Sequence, residues 1–225
     1  IRGRFVFRPG AGRRSGCAMS DDIKTIISGV IQFLIAALLG VAAVELYIFS
    51  ELHPTPIESW IDVVQAVLLL TGAILFALSA RREGVRASGL WLIHGFFMAL
   101  FIRELDAYFD VIRHGSWKYV LVLYLVVLFF IVRRAGFSTV VPGLAAFIRS
   151  RSFCMMMPGV AIVLSYSRLY GYKGLWMLLM GDYERWGVMK TFAEESTELV
   201  GYTLMLGAAI FWLIGRRNVI LTPEP

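Results

Sequence analysis

Between positions 60 and 80 the chain reads WIDVVQAVLLLTGAILFALSA, with Asp62 its one charged residue. A helix needs roughly 20 mainly apolar residues to cross a bilayer. In hydrocarbon every backbone N–H and C=O must be satisfied within the segment, which leaves only helices and closed barrels. The motif recurs along the chain, which is 58% hydrophobic and 17% charged, with a mean hydropathy of +0.71. These values lie far from the balance of a soluble domain.

Six membrane spans are expected, near 23–49, 60–80, 88–109, 117–132, 153–170 and 192–214. The fold class is therefore an all-α, polytopic six-helix bundle. The stretch 138–152, STVVPGLAAFIRSRS, is too short and too basic to span, and is expected along the membrane surface or as a loop. Residues 1–18 are Arg- and Gly-rich and patternless, and Met19 opens MSDDIK. They are expected to be non-native leader or a disordered basic arm ahead of one domain, 19–225. Cys17 and Cys154 make no disulfide framework and no Cys-x-x-Cys.

Lys and Arg favour cytoplasmic loops. RREGVR after span two, RRAG after span four, IRSRS before span five and GRR after span six share one side if both termini are cytoplasmic. That side then holds 15 Lys and Arg against 4 Asp and Glu, and the outer side 7 against 12. The net charge of +6 is topology signal, which excludes a nucleic-acid partner. Short loops point to a bacterial inner membrane. The partner this composition requires is the lipid bilayer; the oligomeric state is left open.

The outer end of span three carries RELDAYFDVIRHGSWK. Continued as one helix, Arg103, Asp106, Asp110 and His114 fall on one stripe, opposite Phe101, Leu105, Phe109 and Ile112. Glu104 lies beside the stripe. Span six opens with KTFAEESTELVGY, placing Glu194, Glu195, Glu198 and Tyr202 on one third of the helix circumference. Capping and the helix dipole account for acids in a first turn, but poorly for Glu198 and Tyr202, which lie deeper. Glu45, Glu58, Asp62, Tyr166 and Arg168 reach the same level. Charge in lipid is expensive, so such stripes face protein or water. Arg103 is expected to pair with Asp106 or Glu198, beside a polar cavity open to the outside.

The candidate ligand-binding set is thus Glu45, Arg103, Glu104, Asp106, Asp110, His114, Arg168, Glu194, Glu195, Glu198 and Tyr202. Polar residues can equally well serve to hydrogen-bond helices together in lipid. Asp106, Asp110 and His114 are weak metal candidates for a divalent ion. His-Glu-x-x-His and related zinc spacings are absent, as are nucleophile and phosphate-loop motifs, so no cofactor is expected. His53 reads as a loop residue, and His94 lies deeper and away from the stripe. Three functions fit: binding or transport of a cation, proton or small polar solute; an enzyme acting on lipid headgroups at the outer leaflet; or an accessory subunit docking a partner.

Overall fold

A computed structural model describes residues 60–181 and 186–220, with side chains to 215, and scattered positions between 23 and 53. Among the described residues the chain is helical throughout and has no strand. It divides into two units, 1–39 and 40–225. In the first, Ile23, Ile27, Val30, Ile31, Leu34 and Leu38 have helical backbone. The expected leader at 1–18 and about half of the expected span one lie outside the described residues.

The second unit holds α1 (Trp60–Arg82), α2 (Ala87–Glu104), the short α3 (Asp106–Asp110), α4 (Trp117–Ala135) and α5 (Val140–Ile148). After these come α6 (Arg151–Ala161), a π-helical turn over Ile162–Ser167, α7 (Arg168–Tyr170), α8 (Lys173–Met180) and α9 (Trp186–Ile220). Among the described residues four segments are long and apolar enough to cross a membrane: Trp60–Arg82, Gly84–Glu104, Arg151–Tyr170 and Trp186–Gly215. A fifth is α4 with Phe137–Ile148, if that pair, bent by 90°, counts as one.

In the packing order α1 lies between α2 and α9, α4 lies on α2, and α6 lies on α9. Phe76 of α1, Phe97 of α2 and Phe147 of α5 meet with centroids 5.6 and 5.5 Å apart, and Trp212 of α9 closes on Phe147 at 5.4 Å. Leu69, Leu90 and Met205 are fully buried beside them. Small residues let backbones approach. A Cβ on Gly159 of α6 would sit 2.8 Å from the Gly201 carbonyl oxygen of α9.

The stretch 138–152 is not a loop. Its helix α5 docks on α2, with Gly143 and Phe147 buried. The bend before it turns on Gly136, whose φ of +94° suits a residue without Cβ. The carbonyls freed at the end of α4 are met by Ser88, whose hydroxyl lies 3.2 Å from Val132 O and 2.7 Å from Gly136 O. Lys173–Met180 is helical with Leu178 and Leu179 exposed, and span six begins at Trp186.

Candidate functional site

Five elements bring polar side chains to one place. The first turns of α1 supply Asp62 and Gln65, and the last turn of α2 supplies Arg103 and Glu104. The π turn delivers Ser167, and α7 opens with Arg168. Glu194, Glu198 and Tyr202 recur at four-residue spacing down one face of α9, with Glu195 beside them.

Glu198 is 2% exposed and the most heavily bonded of the acids. Ser167 donates to its Oε1 at 2.6 Å, and the Arg168 guanidinium donates to the same oxygen. Arg103 Nη2 stands 3.5 Å from both its oxygens. Arg103 also reaches Glu104 Oε2 at 3.2 Å, and the Tyr202 hydroxyl donates to that oxygen at 3.0 Å. Glu194 takes Lys190 Nζ at 2.8 Å and lies 3.8 Å from Arg168. Gln65, fully buried, donates its Nε2 to Glu195 O at 3.1 Å and to Glu195 Oε2 at 3.0 Å. The carboxylates of Asp62, Glu104 and Glu195 each offer an oxygen within 4.8 Å of the others. They come from three different helices.

The expected stripe on span three does not persist. The backbone leaves the helix at Leu105 (φ −87°, ψ 16°), so Arg103 and Glu104 turn inward while Asp106 is exposed. Arg103 therefore meets Glu198 and Glu104, not Asp106. Asp110 and His114 make a surface pair 2.6 Å apart, with Gly115 N–H donating to Asp110 Oδ1 at 2.7 Å. As the weak metal set, Asp106, Asp110 and His114 are thus split by the turn from the buried acids. Glu45 is exposed on its helix. His94 contacts the Ala73 carbonyl through Nδ1 at 2.9 Å, and His53 stacks on Phe49.

Asp62, Gln65 and Ser167 are the members missing from the candidate set. Gln65 carried a usable signal, as a lone amide inside an apolar span. Ser167 had none, since serine is common in such helices.

Outside the spans, the Gly115 N–H and then the His114 ring hold the Asp110 carboxyl below the usual carboxylate range. A depressed folded-state value stabilises the loop above the unfolded pKa, and that support is lost as pH falls through the lowered value. Asp110→Asn is expected to speed hydrogen exchange of the Gly115 amide with little change in the global unfolding midpoint. Unchanged protection of that amide would count against the loop bond.

Beside the acids, a groove of about 130 Å³ is lined by Val63, Ala66, Val67, Leu70, Phe101, Leu105 and Tyr108. It is apolar and runs between α1 and α2. Against known proteins, no family model matches the chain, and neither curated proteins nor solved structures yield a match.

Proposed function

We propose that the protein is a six-span bacterial inner-membrane protein with both termini cytoplasmic, and that it binds and transports cations, protons among them. The acid cluster stands at the outer ends of its spans. The observation that supports this is a surplus of acid. Glu104 and Glu198 contact arginine, Glu198 two of them, while Glu195 takes the neutral Gln65 amide. Carboxylates crowded together in a low-dielectric setting take up protons or bind cations. Helix-to-helix glue alone would call for neutral partners, not excess charge.

The reading is tested with the full chain reconstituted in vesicles, following proton and cation flux with entrapped dyes. Flux above empty vesicles is expected, cut about tenfold or more by Glu195→Gln, a loss of transition-level stabilisation near 1.4 kcal/mol. A cysteine placed at Arg82 is expected to resist labelling from outside whole cells. Flux no greater than in empty vesicles at every pH and cation tried would sink the transport reading. Labelling at that cysteine would invert the topology. A second reading, an enzyme acting on lipid headgroups, draws on the apolar groove, which suits an acyl chain beside Arg103. Turnover of vesicle lipid would favour it.

A further inference from the structure

Within the acid cluster the four carboxylates are not equivalent. Glu198 is already held by Ser167, Arg168 and Arg103. Asp62, Glu104 and Glu195 form a separate group, converging from α1, α2 and α9. Glu104 takes Arg103 and Tyr202 on its Oε2, and Glu195 takes Gln65 on its Oε2 and shares a further side-chain hydrogen bond with Asp62. Their mutual spacing, within 4.8 Å, matches oxygens on opposite sides of one ion, about 4.2–5.2 Å for metal–oxygen bonds of roughly 2.1–2.6 Å.

An acidic cluster alone does not make a site; Gln65 adds an independent observation. It is fully buried, and its Oε1 has no hydrogen-bond partner among the described residues. Its orientation is set by chemistry, because the opposite flip would point the amide oxygen at the Glu195 carbonyl and carboxylate. The Nε2 bond holds this amide on Glu195, one of the three acids, and Gln65 follows Asp62 by three residues on α1. A buried carbonyl without a donor calls for a water, a proton donor or a cation.

We infer that Asp62, Glu104, Glu195 and the Gln65 carbonyl oxygen form a binding site for one hard divalent cation of the calcium, magnesium and manganese class. This rests on the cation reading above and gives it a ligand class. All four donors are oxygens, the preference of hard ions, and among the described residues no histidine or cysteine joins them to favour zinc. Open coordination positions are left for water, as such ions retain it.

Mn²⁺ is the probe, titrated into the purified full chain and read by the loss of its free-ion paramagnetic resonance signal. One Mn²⁺ per chain is expected, displaced by Ca²⁺ or Mg²⁺. Asp62→Asn and Glu195→Gln should each weaken it about tenfold or more, while Glu83→Gln, at the opposite end of α1, leaves it unchanged. Both site variants remove surplus charge and keep side-chain shape, so their metal-free unfolding midpoints are expected at or above that of the parent. That comparison separates lost ligands from lost fold. Absence of saturable Mn²⁺ uptake, or uptake unaltered in both variants, overturns the site. Infrared bands of protonated carboxyls without Mn²⁺ uptake would also overturn it, yet leave the proton branch of the transport reading standing.

Discussion

Replacing Arg103 by alanine is expected to destabilise the folded protein by about 3 kcal/mol, within the range for stranding a buried charge. Arg103 touches two carboxylates whose side chains are 6% and 3% exposed. Glu198 keeps Arg168 and Ser167 after the change, whereas among the described residues Glu104 keeps the Tyr202 hydroxyl alone. The effect belongs to Glu104, so Glu104→Gln in the same chain should restore a large part of it. Arg103 is itself 31% exposed, and solvent screening keeps the loss from growing larger. Unfolding in mixed micelles measures both variants. A double variant no more stable than Arg103→Ala would show that the arginine acts through some other contact.

Gly143→Ala is expected to cost about 2–3 kcal/mol, an overpacking penalty. A Cβ there would lie 2.5 Å from Arg86 O and 2.9 Å from Gly89 Cα. Both are backbone atoms, which cannot swing aside as a side chain does. Helix α5 would have to back away from α2, stretching the Ser88 and Thr139 bonds that close the bend at Gly136. Gly207→Ala is the contrast, since its new Cβ meets only the flexible end of Met155. Its cost should stay under about 1 kcal/mol. Equal shifts in the two unfolding midpoints would refute the close α2–α5 contact.

The membrane-length helices were legible because hydropathy is set by many residues at once, and no single substitution hides it. The pairing of Arg103 with Glu198 was legible for a related reason, since charge deep in an apolar helix must find a partner. The turn at Leu105 was not. Leu105 continues the apolar side of the pattern, and neither glycine nor proline marks the break. That turn exchanges Asp106 for Glu104 as the buried acid. Asp62 was visible only as an acid near a helix start, where the dipole already accounts for it. Its nearness to Glu104 and Glu195 depends on how α1, α2 and α9 pack, and no local pattern encodes that.

The π turn over Ile162–Ser167 follows Pro158, which lacks an N–H and disturbs the helical ladder around it. A widened turn holds one residue more than an α-helical turn, so it acts on the chain as an insertion carried in place. Everything after it is rotated relative to what a regular helix would present. Ser167 and Arg168 stand at its end, and Glu198 depends on both. Information about the site is therefore stored here in chain length as well as in residue identity. Between Ile162 and Ser167 an apolar exchange can pass unnoticed, whereas losing one residue resets the angular phase of the serine and the arginine together.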